Sequence, residues 1–505
     1  MSESPATVRE LVDRRVAAQP QAIYAINGQG THSLRYDELA TSGRQVAALL
    51  QSLGSRPGDI ASLVMPNGLQ TLRLLLGAMY GGWCVNPVNL LAQPGQMRYV
   101  LDHSDCKVVF VSPDREHSVR RMLAGLDRPV AVVVTEPDAE TLPGAATLQP
   151  VCTPPPAPDA LALLMYTSGT TGVPKGVMLT QANLTANALA ISTEHGLREN
   201  DRVLAVLPLY HINAFAVTML APLAHGGSLA ILPRFSASRF WAQAKERECT
   251  WINVVPTIIS YLLEGAAPPR DDTQRIRFCR SASAALSPDH LRAFEDKFGI
   301  SIIETMGLTE TMAPAFSNPL DPAQRKVGSV GRASGCEARV VDTALAPVPD
   351  GQTGEIVIRG PNVMRRYYKN DEASRAALTL DGWLRTGDLG HRDRDGFFFV
   401  TGRIKELIIK GGENIAPREI DEALLRHPAV QDAAAVGIPD PHYGQEIMAC
   451  VVLRPGRAAD EEALRVFCLE QLGRYKTPKV IRFVTELPRG PSGKVQRLAL
   501  LNLPG

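Results

Sequence analysis

Residues 161–180 read LALLMYTSGTTGVPKGVMLT. The first six, 161–166, have the apolar character of a buried strand, and 177–180 read as a second strand. Between them, 167–176 hold Thr-Ser-Gly-Thr-Thr-Gly-Val-Pro-Lys-Gly, with four hydroxyls, three glycines and one lysine. Glycine lets the backbone take positive φ and come close to a ligand. Successive exposed N–H groups in such a bend form an anion-binding nest. The hydroxyls of Thr167, Ser168, Thr170 and Thr171 add donors, and Lys175 adds a point charge. A polyphosphate is the natural occupant. A flexible linker has a similar composition, but the strands on both sides argue against one. Nor is this a Walker loop, which needs Gly-Lys-Ser/Thr opening a helix. Here Pro174 precedes Lys175 and Gly176 follows it.

Outward from this loop the chain alternates. Strand-like runs at 60–65, 107–111, 161–166, 203–207 and 252–255 are separated by amphipathic stretches such as 36–53. One helix carries its own brackets: Ser287 as N-cap, Pro288 at the first helical position and Gly299 past its end. Strands alternating with helices predict an α/β fold with largely parallel sheets. A proline-rich linker, 153–159, precedes the loop. From 327 to 360 the texture changes to short strands and Gly/Pro/Asp turns, a small β-rich subdomain. A boundary near Gly402-Arg403 leaves about 100 residues of α+β texture: strand 406–410, helix 417–426, strands 430–437 and 447–453, helix 461–472. The expected organisation is a large N-terminal unit, 1–402, and a small C-terminal lid, 403–505.

Composition removes several classes. With 53 basic and 52 acidic residues the net charge is +1, so no global field favours nucleic acid or an anionic membrane. The 6% of aromatics are not interleaved with a basic stripe. No apolar run reaches the roughly 20 residues of a membrane span. Eight cysteines are scattered singly, without zinc spacing, and read as buried thiols in a reducing compartment. The polar N-terminus and the end Leu503-Pro504-Gly505 match neither a secretory signal nor a peroxisomal tail, so the expected location is the cytoplasm. No heptad or sticky edge specifies an oligomer.

The loop resembles the phosphate-binding signature of the adenylate-forming superfamily: acyl-CoA synthetases, luciferases and the adenylation domains of peptide synthetases. Five further motifs follow in that family's order: Pro208-Leu209-Tyr210-His211, Gly307-Leu308-Thr309-Glu310, Thr386-Gly387-Asp388, Gly402-Arg403-Ile404-Lys405-Glu406 and Pro491-Ser492-Gly493-Lys494. The resemblance implies adenylation of a carboxylate by ATP, then transfer to a thiol, in a large domain closed by a mobile lid. It assigns the phosphates to Thr167, Ser168, Gly169, Thr170, Thr171, Gly172 and Lys175. Glu310, a hard oxygen donor, is assigned to Mg²⁺, and Thr309 to the α-phosphate. Asp388 would accept from the ribose hydroxyls. Ala282-Ser283-Ala284 stands where the family has a glycine-rich adenine platform, and Met306 replaces the aromatic that often precedes Gly307. Lys494 would enter from the lid and stabilise the forming bond. Arg403 and Lys405 occupy the hinge, and Gly411, Gly412 and Glu413 would border the pantetheine channel after the lid turns.

An acyl-CoA synthetase using ATP and coenzyme A fits best, with His211 at the wall between acid pocket and thiol channel. A peptide-synthetase domain normally carries Asp in the region of 210–215, where this chain has Tyr-His-Ile-Asn-Ala-Phe. The substrate stays open between a short polar acid, a fatty or aromatic acid, and an acid passed to a carrier protein. His211, Asn213, Arg280 and Ser281 are the candidate acid-pocket residues. Arg280 alternates with Ile276 and Phe278 on one strand face and could meet a second anionic group. The plainer reading is that it pairs with a neighbouring carboxylate or points to solvent. The resemblance leans towards ligases for small polar acids, sulfoacetate and malonate among them.

Overall fold

The computed structural model describes residues 4–144, 146–167, 173–490 and 495–503. Its N-terminal part is built on two sheets. One has the order Arg366–Tyr367, Lys175–Thr180, Leu161–Thr167, Cys84–Pro87, Ile60–Val64, Val108–Val111, Ala131–Val134. From Leu161–Thr167 outward to Ala131–Val134 the strands are parallel, while the phosphate-loop hairpin and Arg366–Tyr367 are antiparallel additions. Ile60–Val64 and Val108–Val111 are buried at every position, as expected of strands covered on both faces.

The second sheet runs Arg332–Ala333, Phe316–Ser317, Ile302–Met306, Phe278–Ser281, Trp251–Val254, Arg202–Ala205, Ser228–Ile231, Ile23–Asn27, Ser33–Arg35. Its inner strands are parallel. A continuous apolar core joins both sheets through helices Leu69–Gly81 and Gln181–Glu194, with Trp83, Tyr24, Phe215 and Trp251 almost wholly enclosed. The helix Tyr36–Ser52 lies where its periodicity placed it. Pro288–Phe298 begins at Ser287, whose hydroxyl accepts from the His290 N–H, and ends at Gly299 in the left-handed region.

The β-rich texture resolves into a four-stranded antiparallel sheet, Glu337–Val341, Gly354–Arg359, Leu384–Arg392, Phe398–Arg403. After a single 3₁₀ turn, Ile404–Glu406, the C-terminal sheet begins with Ile408–Lys410. That sheet has its own core around Ile420, Leu424, Ala449 and Leu464. It also contains two strands the sequence pattern did not announce, Glu413–Ile415 and Val480–Phe483. Among the described residues no helix is long and apolar enough to cross a membrane. All eight cysteines are free; six are buried among the cores, whereas Cys152 is exposed and Cys336 half-buried.

Candidate active site

The strands on either side of the hydroxyl-rich segment pair with each other. Leu161–Thr167 pairs antiparallel with Lys175–Thr180, and Thr167 stands directly opposite Lys175. Ser168, Gly169, Thr170, Thr171 and Gly172 lie outside the described residues, as does Lys494. Lys175 Nζ sits 5.1 Å from the ring centroid of Tyr367, within cation–π range. Tyr367 belongs to the short strand added beside Lys175–Thr180, and its hydroxyl donates to Glu310 Oε1 at 2.8 Å. Burial, with the Glu310 charge second, pushes this phenol well above its ordinary pKa. It is therefore a donor over the whole working pH range.

Glu310 lies in the 3₁₀ turn Thr309–Thr311, beside Thr309 and just after the strand Ile302–Met306. Gly307 is required by close approach: a Cβ there would lie 2.8 Å from the Cα atoms of both Ala313 and Pro314. The turn is fixed by Leu308 N–H donating to Thr311 Oγ1 at 2.9 Å and Met364 N–H to the Glu310 carbonyl at 2.8 Å. Met306 ends the strand opposite Phe316.

Asp388 is 2% exposed. Arg403, its register partner on the next strand, donates to it through Nε at 2.6 Å and Nη2 at 3.4 Å. Burial alone would pull the Arg403 guanidinium down; Asp388, then Glu406 and Glu310, outweigh it and hold it above its ordinary value. Asp388, Arg403 and Glu310 thus share one electrostatic neighbourhood. Lys405 follows in the turn Ile404–Glu406.

A second cluster forms at the C-terminal ends of parallel strands, the usual ligand edge of such sheets. His211 caps the helical segment that begins Ile212–Ala214, and its ring meets Tyr210 edge-on at 4.7 Å. The helix continues as a π-helical stretch, Phe215–Leu220, a distortion common near functional sites. Asn213 Oδ1 accepts from Arg280 Nη1 at 2.6 Å, and Asn253 Oδ1 accepts from the same nitrogen at 2.7 Å. Arg280 therefore follows neither plain expectation: it meets no carboxylate among the described residues and is only 1% exposed. Burial pushes its guanidinium down to about 9. Asn213 Nδ2 reaches Ser283 Oγ at 3.4 Å, tying this cluster to Ala282-Ser283-Ala284. Ser281, by strand alternation, turns to the opposite face from Arg280, and its buried hydroxyl has no partner among the described residues. The structure joins Asn213 to Arg280 and turns Ser281 away from both.

Gly411 and Gly412, both at positive φ, turn the hairpin between Ile408–Lys410 and Glu413–Ile415. The expected strand-to-helix turn is thus a strand-to-strand turn, packed beside Tyr443 and Tyr475.

Two residues of these clusters escaped the sequence reading. Tyr367, in Arg365-Arg366-Tyr367-Tyr368, carries no spacing signal. Asn253 did leave one, as the lone polar residue of the strand Trp251–Val254, and it is completely buried.

Comparison with known proteins identifies the family. A profile described as AMP-binding enzyme matches residues 12–368, and one described as AMP-binding enzyme C-terminal domain matches 419–494. A sulfoacetate–CoA ligase of Cupriavidus necator is 58% identical over 98% of this chain and 97% of its own. An oxalate–CoA ligase of Arabidopsis thaliana is 35% identical over 92% of each. The crystal structure of ATP-bound MatB from Rhodopseudomonas palustris superposes with a TM-score of 0.92 at 30% identity, covering 98% of both chains. The chain belongs to the AMP-binding enzyme family.

Proposed function

We propose that the protein is an AMP-forming acid–CoA ligase acting on a small polar acid, with sulfoacetate the first candidate. The observation that carries this reading is the 58% identity to a sulfoacetate–CoA ligase along nearly the whole of both chains. Fatty, aromatic and carrier-protein alternatives are disfavoured by the same relationship.

The chemistry has two steps. A carboxylate oxygen attacks the α-phosphorus of ATP, the bond to the β-phosphate oxygen breaks, and pyrophosphate leaves. The sulfur of coenzyme A then attacks the acyl carbon, its proton passes to solvent, and AMP leaves with the bonding pair. Two anions must meet in the first step, so catalysis is mostly positioning and charge stabilisation. On this reading Thr167, Lys175 and the loop tip hold the phosphates. Lys494 approaches from the lid, Asp388 accepts from the ribose, and Ala282-Ser283-Ala284 flanks the adenine. His211 separates the acid from the thiol. Arg403 and Lys405 form the hinge between units 1–402 and 403–505, and its rotation brings Gly411, Gly412 and Glu413 to the thiol channel.

Mg²⁺ fits Glu310. Tyr367 takes one carboxylate oxygen, and among the described residues the other remains for a hard cation. Among the described residues no group of three or more His, Cys, Asp or Glu forms a ready-made cage. That suits an ion bound by one or two carboxylates together with substrate phosphates. When bound it would neutralise phosphate charge. The free thiols support a reducing, cytoplasmic setting.

The test is acid-dependent conversion of ATP to AMP and pyrophosphate, followed by thioester formation on adding coenzyme A. Absence of acid-stimulated AMP across a panel containing sulfoacetate, oxalate, malonate and benzoate overturns the reading.

A further inference from the structure

We propose that Arg280, presented by Asn213 and Asn253, is the counter-ion for a second anionic group on the acid substrate, and so sets the enzyme's preference for dianionic acids. The inference rests on the ligase reading above and goes beyond it by naming the specificity residue and its chemistry.

A buried charge without a partner is among the most expensive features a fold can carry. Arg280 is a fully enclosed arginine whose protein partners are amide oxygens. Those supply dipoles but no compensating charge. Both hydrogens of Nη1 are committed to Asn213 and Asn253, whereas Nε, also buried, has no partner among the described residues. The Nε–Nη2 edge of the guanidinium is the geometry that grips a carboxylate or sulfonate through two parallel bonds. The site is short of one negative charge, and a substrate with two would supply it.

Position points the same way. Asn213 stands two residues past His211 and contacts Ser283 in the segment assigned to adenine. Arg280 and Asn253 face each other near the C-terminal ends of adjacent parallel strands. The two asparagines hold Nη1 closely, while their contacts to other neighbours are long. Asn213 Nδ2 to Ser283 Oγ and Asn253 Nδ2 to Asn213 Oδ1 are both 3.4 Å, at the long limit of hydrogen bonding. An anion arriving at the Nε–Nη2 edge would leave both amide bonds to Nη1 in place.

The experiment compares acids that differ in one charge. Sulfoacetate and malonate carry the second anion; methylsulfonylacetate keeps the tetrahedral sulfur without it, and propanoate is the monoanionic counterpart of malonate. Pyrophosphate release is measured for the native protein, Arg280→Met and Arg280→Lys. The native protein should favour the dianions by about 100-fold in kcat/KM. Arg280→Met should lose about 100-fold on the dianions and change by less than about 3-fold on the monoanionic analogues. Arg280→Lys should recover part of the dianion activity. Equal losses on all four acids in Arg280→Met, or no loss, overturn the proposal. Should neither variant fold, the native ratio decides: no preference for the second charge overturns it. Native protein that makes thioesters without such a preference leaves the ligase reading standing, whereas native protein inert with every acid removes the ligase reading itself.

Discussion

Removing one oxygen from Tyr367 tests the group that links the phosphate loop to Glu310. In Tyr367→Phe the ring stays beneath Lys175, whose Nζ is 5.1 Å from its centroid, while the 2.8 Å donation to Glu310 Oε1 disappears. A hydrogen bond to a charged acceptor contributes about 1.5–3 kcal/mol. At about 1.4 kcal/mol per tenfold, its loss corresponds to roughly 10- to 100-fold in rate if Glu310 acts in the transition state of adenylation. The backbone anchors of that turn, from Met364 and Thr311, are untouched, so the fold should persist. The assay is ATP–pyrophosphate exchange at varied Mg²⁺, run beside single-turnover thioester formation from preformed adenylate. The expected result is a 10- to 100-fold slower exchange with a raised Mg²⁺ requirement, and thioester formation within about 3-fold of native. Tyr367→Leu, which also removes the ring from Lys175, should be slower still. Unchanged exchange, or an equal fall in both half-reactions, would refute the argument.

Two other perturbations bear on different parts of the molecule. Lys494→Ala should abolish most adenylation yet spare thioester formation from preformed adenylate, because a single mobile ammonium is needed only where pyrophosphate departs; equal losses would remove Lys494 from that role. Glu304 is raised from 4.5 to about 7, chiefly by burial, with Arg418 opposing. The folded state therefore keeps this proton where the unfolded chain has released it, and stability falls as pH rises between those two values. Glu304→Gln should raise the melting temperature at about pH 8 and change it little near pH 5; the same shift at both values would contradict the burial argument.

How far the sequence was legible depended on the range of the forces involved. The helix Pro288–Phe298 was readable because Ser287, Pro288 and Gly299 act through neighbouring backbone. The buried strands were readable because their apolar content reflects two covered faces. Glu413–Ile415 was not, since two of its three residues are exposed and only pairing with Ile408–Lys410 makes it a strand. The candidate site divides the same way. Glu310, Asp388 and His211 stand within compact local motifs. The Tyr367–Glu310 contact joins positions 57 apart, and Arg280 meets Asn213 and Asn253 across 67 and 27 residues. Such meetings arise from sheet order, which no local pattern encodes.

The cross-strand pair Asp388 and Arg403 has a mechanical consequence. Asp388 is the carboxylate assigned to the sugar, and Arg403 is the last residue of the final strand before the chain leaves for the C-terminal sheet. On the proposed hinge, a swivel of that sheet would pull first on the guanidinium gripping this carboxylate. A seated nucleotide, by stiffening Asp388, would brace the proposed pivot, and departure of the nucleotide would slacken it, so that the lid's freedom to swing would report on what the larger unit is holding.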